Sequence, residues 1–264
     1  MKTHLLLDMD GVVLHDNDLI PGADLFLAHI LKEDVDFRFI TNYPSQTPAD
    51  LQNRLSSAGV DVPVENFFTS AMATAAFLGK QEGRRAYVIG EGALTHELYK
   101  IGFSITDINP EVVIVGETKS YNWEMIRKAA GFVQEGARFI ATNPDVAGPG
   151  GSPACGALCA PIERITGRKP FYIGKPNAFM LRAALNSMGA HTENSIIIGD
   201  NMQTDILAGV QAGLQTVLVL SGYSKVGDIP KYPYRPSFIF DDLQSVSLDD
   251  INAANSDNAS ASQS

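Results

Sequence analysis

"LLLDMDGVV" (residues 5–13) runs an apolar stretch directly into two aspartates, Asp8 and Asp10, followed by a glycine. On a strand, residues i and i+2 point to the same side, so the two carboxylates repel each other unless something lies between them. A turn built on "DG" explains the pair in one way; a divalent cation, which takes hard oxygen ligands, explains it in another. The pattern recurs. "FRFITN" (37–42), "FFTS" (67–70) and "SIIIGD" (195–200) are also short apolar runs that stop at polar residues. Runs of this kind, with helical stretches between them, predict parallel strands buried on both faces and an α/β, doubly wound sheet.

The stretches between the strands supply the helices. "PADLQNRLSSAGV" (48–60) places Leu51 and Leu55 one turn apart and stops near Gly59. "PNAFMLRAALNSMGA" (176–190) predicts a helix with Pro176 at its first position and an end near Gly189. "TDILAGVQAGL" (204–214) opens on Asp205, a favourable charge at a helix N-terminus, and leads into a strand, "TVLVLSG" (216–222). Residues 82–170 repeat the alternation of strand and helix, with "AYVIG", a helix near 91–101, "EVVIVGE", a helix near 122–135, then "RFIATN". The economical organisation is a core made of 1–81 and 171–251, with a second α/β lobe inserted at 82–170. The glycine- and proline-rich loop 143–156 is expected at the surface. The small, polar stretch 252–264 has no apolar period and reads as a disordered tail.

Composition narrows the partners. The chain has 264 residues, 45% hydrophobic and 19% charged, with a net charge of −10. That charge disfavours nucleic acid and anionic membranes. An anionic substrate therefore needs positive charge supplied locally. No apolar run approaches the roughly 20 residues that span a bilayer, and the leucine run after Lys2 is too short for a signal sequence, so a cytoplasmic location is expected. Cys155 and Cys159, in "ACGALCA", read as buried or helical thiols one turn apart; no further ligands stand nearby for a metal.

Ligands of doubly wound sheets bind beyond the carboxyl ends of the strands. Asp8, Asp10, Thr41, Asn42 and Asp200 all fall at such ends and are expected to converge on one crevice. Asp205 is either a helix cap or a fourth carboxylate there. Lys175, in "YIGKP", is either an exposed turn lysine or a compact positive charge for a phosphate. Thr41 and Asn42 either form a strand-end turn or offer a hydroxyl and an amide to an anion. Four carboxylates around one crevice favour Mg2+, completed by waters and a substrate phosphate.

"DMDGV" (8–12), "TN" (41–42), "GKP" (174–176) and "GDNMQTD" (199–205) resemble, in order, the four motifs of the haloacid dehalogenase superfamily. "TNYPSQT", "SAMATAAFL", "VGETKSYNW", "ARFIATNPD" and "ACGALCA" extend the resemblance to its NagD-like subfamily, over about residues 4 to 240. The resemblance implies a Rossmann-like core with a cap of the C2 type inserted after the third core strand and its helix. It implies that Asp8 is the nucleophile and that Asp10 is the acid for the leaving alcohol and the base for water. Mg2+ is then held by Asp8, the backbone carbonyl of Asp10, and Asp200, with Asp205 acting through water or a hydrogen bond. Thr41, Asn42 and Lys175 hold the phosphoryl oxygens, helped by Asn201 and Thr204.

The implied activity is Mg2+-dependent hydrolysis of small-molecule phosphate esters, with nucleoside 5′-monophosphates such as UMP and GMP as the leading class and sugar phosphates as the alternative. A phosphotransferase or phosphomutase would need an acceptor alcohol in place of water. Carbon–halogen hydrolysis has no use for an acid at Asp10, and a phospho-receiver has no use for the inserted lobe. Glu117 and the small loop "VAGPGG" (146–151) stand where related caps carry an aromatic or a histidine, which predicts a roomy, permissive site.

Overall fold

Leu5, Leu6 and Leu7 are all fully buried, because their strand lies inside a sheet covered on both faces and alternation sends them to opposite cores. The computed structural model describes residues 3–248. In chain order the strands are β1 (His4–Leu7), β2 (Leu14–His15), β3 (Asp18–Leu19), β4 (Asp36–Thr41), β5 (Phe67–Thr69), β6 (Arg85–Ile89) and β7 (Ser104–Ile105). They continue as β8 (Val112–Val115), β9 (Arg138–Ala141), β10 (Phe171–Tyr172), β11 (Ser195–Gly199), β12 (Gln215–Val219) and β13 (Phe238–Phe240). The helices are α1 (Ala23–Lys32), α2 (Pro48–Ser57), α3 (Ser70–Leu78), α4 (Gly92–Lys100), α5 (Trp123–Gln134), α6 (Cys155–Thr166), α7 (Ala178–Met188) and α8 (Leu207–Ala212).

The larger sheet has the order β13-β12-β11-β1-β4-β5, and every pairing is parallel. The chain winds outward from β1 through β4 to β5, then restarts at β11 on the other side of β1. That reversal opens a crevice beyond the ends of β1 and β11. One face buries Leu5, Leu7, Phe39 and Ile198 under α1 and α2, through Leu27, Leu51 and Leu55. The other buries Leu6, Ile40 and Ile197 under α3, α7 and α8. At the start of α2, Thr47 Oγ1 accepts from Asp50 N at 3.1 Å while Asp50 Oδ2 accepts from Thr47 N at 2.8 Å, a reciprocal cap that satisfies two otherwise orphaned donors.

A second parallel sheet, β10-β9-β8-β6-β7, lies between α3 and α7 in sequence and forms the cap. Its inner face joins the core cluster through Ile114 and Ile140, together with Leu98 of α4, so core and cap share apolar packing. Its outer face buries Val113 and Val115 under α5 and α6, against Val133 of α5. Phe171 and Tyr172, on the core side of the expected junction at 170, are hydrogen-bonded into this cap sheet.

Several local expectations change. The helix expected from Pro176 begins at Ala178, because Asn177 Oδ1 caps it by accepting from Phe179 N at 2.9 Å; Pro176 precedes the cap, joined to Lys175 by a cis bond. The helix expected from Thr204 is preceded by a π turn, Met202–Ile206, capped by Asn201, so Asp205 lies inside a turn rather than at a helix start. The loop 143–156 is not simply surface: Asn143, Ala154 and Cys155 are buried, since the segment closes over the crevice. Cys155 and Cys159 are buried free thiols on α6. Not anticipated were α1 and the antiparallel β2–β3 hairpin, whose two-residue strands carry no periodic signal. The stretch 252–264, read as a tail, lies outside the described residues. Among the described residues no helix is long and apolar enough to cross a membrane.

Candidate active site

Beyond Leu7, the Asp8 amide still donates to Ile198 O at 2.9 Å, so β1 and β11 stay in register up to the residues that carry Asp8 and Asp200. The chain then turns sharply: Met9 O accepts from the amides of Val13 and Leu14, each at 2.9 Å, and Gly11 sits at φ +84°. A side chain at Gly11 would meet both the strained dihedral and Asp200, since a Cβ there lies 2.3 Å from Asp200 Oδ2. Gly222 crowds the same oxygen, a Cβ there falling at 2.0 Å. Only a hydrogen fits at either position beside Asp200.

The π turn after Asn201 brings Asp205 back against Gly199 at the end of β11; such single π turns recur at functional sites. Asp205 is fully buried and, with Asp8 and Asp200, forms a group whose carboxylate oxygens lie within 4.8 Å of one another. Lys175 Nζ reaches this group from the start of the α7 segment. It contacts Asp8 Oδ1 at 2.8 Å, Asp205 Oδ1 at 2.7 Å and Ile40 O at 3.1 Å, which engages all three of its protons.

Charge is unbalanced here. Three carboxylates face one buried ammonium, leaving two negative charges in excess. Burial, then Asp205, pushes the Asp8 carboxyl well above its ordinary range, and Lys175 only partly opposes this. Burial and Asp205 push Asp200 up to about 7. Burial alone would lower Lys175, but Asp205 and Asp8 outweigh it and hold the ammonium well above its ordinary value. An all-oxygen donor set with surplus negative charge fits a hard divalent cation such as Mg2+.

The crevice, of ≈ 320 Å3, is lined by eight of the nine expected residues, Asp8, Asp10, Thr41, Asn42, Lys175, Asp200, Asn201 and Thr204, while the ninth, Asp205, is fully buried beside Asp8 and Asp200. Their side chains are not equally available. Asn42 Oδ1 accepts from Lys175 N at 2.8 Å, while its Nδ2 donates to Lys175 O at 3.0 Å and to Asp145 Oδ2 at 2.9 Å. Thr41 Oγ1 accepts from Tyr43 N at 3.2 Å. Thr204 Oγ1 donates to Asp205 Oδ2 at 3.2 Å, and Asn201 Oδ1 accepts from Gln203 N at 2.8 Å. The Asp10 carboxylate stands apart from the three-carboxylate group and pairs with Arg54 at 2.6 Å.

Three polar lining residues escaped the sequence reading, Tyr43, Asp145 and Tyr223, whereas Glu117, singled out there, does line the crevice. Asp145 and Glu117 come from the cap, and burial raises both carboxyls. Asp145 hung on a contact 103 residues away in sequence; the one available signal was its place four residues after a strand end, in "ATNPD". A second cavity of ≈ 960 Å3, between Thr47 and Asp50 of the core and Glu91, Thr118 and Lys119 of the cap, shares Glu117 with the first.

Known proteins are close to this chain. The family model "haloacid dehalogenase-like hydrolase" matches residues 5–104, and a second, HAD-hydrolase-like, matches 172–246. The ribonucleotide monophosphatase NagD of Escherichia coli K12 is 60% identical over 245 residues, covering 93% of this chain and 98% of the relative. The solved structure of E. coli K-12 NagD superposes with a TM-score of 0.91 over 93% of this chain and 98% of that one, at 60% identity. A dihydroxyacetone phosphatase of Corynebacterium glutamicum is 49% identical over 243 residues, 90% of this chain and 88% of the relative.

Proposed function

The chain belongs to the haloacid dehalogenase-like hydrolases, on their NagD-like phosphatase branch, and from that premise we propose that it hydrolyses nucleoside 5′-monophosphates through a phosphoaspartate on Asp8. The observation that carries the reading is the buried Asp8–Asp200–Asp205 group with Lys175 against it, at the switch point of the sheet.

Asp205 commits Oδ1 to Lys175 and Oδ2 to Asn201 N and Thr204 Oγ1, so it orients its neighbours. Asp8 holds Lys175 by Oδ1 and Asp200 holds Tyr223 N by Oδ2, so each has a second oxygen to offer. In this reading Asp8, Asp200 and the Asp10 carbonyl hold Mg2+. Bound there, the cation offsets the charge that a phosphate dianion adds to an already acidic crevice. Asp8 attacks phosphorus in line, and the bond to the leaving oxygen breaks as Asp10 gives that oxygen a proton. Asp10 then takes a proton from the water that attacks the phosphoaspartate, releasing phosphate and restoring Asp8. Lys175 follows the charge from Asp8 to the phosphoryl oxygens, with Thr41, Asn42, Asn201 and Thr204 lining their path.

The leaving group faces the cap. The small Ala147 and Gly148 and the adjoining cavity past Glu117 leave room for a nucleoside or a sugar. A panel comparing kcat/KM for UMP, GMP, glucosamine 6-phosphate and pyridoxal 5′-phosphate in Mg2+ tests the assignment. UMP and GMP are expected to lead; a sugar phosphate ahead by a wide margin would displace the nucleotide reading in favour of the sugar-phosphate one.

Metal and pH act together on stability. Asp200, near 7 in the fold against an ordinary 3.8, binds its proton more tightly folded than unfolded. Its contribution is fully present below the ordinary value and is lost as pH rises through about 7. In EDTA, Tm is expected to fall between roughly pH 4 and 7. Mg2+ is expected to raise Tm most at the upper end and to restore activity. Identical Tm profiles with EDTA and with Mg2+ would remove the cation from this site.

A further inference from the structure

We propose that Arg54 is the positioning residue for Asp10, an assignment that rests on the phosphatase reading above. Arg54 lies on α2 and reaches across to the loop after β1. Its Nη2 donates to Asp10 Oδ1 at 2.6 Å and its Nη1 to Asp10 Oδ2 at 3.5 Å. The same Nη2 donates to the carbonyl of Asp16, and Nε donates to Asn17 Oδ1 at 3.4 Å. Asp16 is the positive-φ residue at the tip of the β2–β3 hairpin, at +53°. One planar guanidinium therefore ties the carboxylate of Asp10 to the hairpin that follows it.

The tie has a chemical purpose. Asp10 carries its proton between two partners, and it works only if its carboxyl faces the leaving oxygen and stays out of the acidic group. Asp8, Asp200 and Asp205 form that group without the Asp10 carboxylate. Arg54 holds the Asp10 side chain toward α2, at the rim of the crevice, where 36% of it is exposed. Arg54 itself does not line the crevice, whereas Asp10 does. It thus acts through Asp10 rather than on the phosphate. Nor does α2 depend on it for packing: Leu51 and Leu55 are fully buried, and Thr47 and Asp50 cap the helix start.

Leaving groups separate this role from a general structural one. With UMP, the phosphorus–O5′ bond breaks, its electron pair goes to O5′, and O5′ takes the Asp10 proton. With p-nitrophenyl phosphate, p-nitrophenolate departs with the electron pair and needs no proton. In the second step, common to both esters, the Asp10 carboxylate takes the proton of the attacking water.

The experiment is rapid-mixing kinetics of the full chain in Mg2+, comparing the native protein with Arg54→Gln and Arg54→Lys. Phosphoenzyme formation from UMP is expected to slow roughly 10- to 100-fold in Arg54→Gln, part of what general acid–base catalysis supplies. Formation from p-nitrophenyl phosphate is expected to keep its native rate. Later turnover should slow for both esters, and p-nitrophenolate should appear as a burst of about one equivalent per chain. Arg54→Lys, with one point of contact in place of a fork, should fall between native and Arg54→Gln. Equal slowing of phosphoenzyme formation for both esters, or slowing for neither, would overturn the assignment. A native chain that forms no phosphoenzyme from either ester would instead overturn the phosphatase reading on which it rests.

Discussion

Asp8→Asn is expected to abolish phosphate release, with turnover of UMP in Mg2+ falling by about 10⁴-fold or more, as losses of a nucleophile do. The fold should survive intact. Asp8 is a carboxylate whose charge burial and Asp205 disfavour, so an amide of the same shape removes repulsion rather than support. In EDTA the variant's Tm should match or exceed that of the native chain. Rapid quenching should detect no acid-stable phosphoprotein in it. Retained turnover at the native rate would take the nucleophile's role away from Asp8.

The second large effect falls on stability. Lys175→Met leaves Asp205 and Asp8 buried without their cation, and breaking a buried pair on one side typically costs about 3–5 kcal/mol. Thermal or urea unfolding in EDTA should show that loss, together with loss of activity in Mg2+. Adding Asp205→Asn should recover part of it, because the second substitution removes the charge stranded by the first. If Lys175→Met unfolds like the native chain, the ammonium does not hold these carboxylates together.

How far the sequence led depended on distance along the chain. Asp8 and Asp200 were legible because each ends an apolar run, and parallel pairing brings such ends to one edge. Leu5, Leu6 and Leu7 showed the double-sided burial by being apolar without a break. Lys175 was legible as a candidate, but not its grip on Asp8, Asp205 and Ile40 O, which needs β1, β4 and the π turn brought together. Arg54 drew no reading, since nothing in "LQNRL" says that its guanidinium meets Asp10, 44 residues earlier. The π turn escaped for a different reason. Its hydrogen bonds widen around Asp205 because that side chain is drawn to Lys175, so tertiary pairing overrides the helical pattern. Pro176 misled in the same way: a proline before a helix suggests its first position, but Asn177 is the better cap and took that place.

Asn42 gives the two lobes a common joint. Its amide group holds the Lys175 backbone in the core and the Asp145 carboxylate in the cap, while its carbonyl accepts from Asn143 Nδ2 at 2.7 Å and from Ser70 Oγ at 2.7 Å. A cap exchanged between relatives therefore does not arrive as a neutral module. A chimera keeps this crevice only when the incoming lobe brings an asparagine at 143 and an acid at 145 to meet Asn42. Substitutions at 42, 143 and 145 should accordingly travel together when lobes are shuffled, and a library that varies the cap for new leaving groups gains by holding those three positions constant.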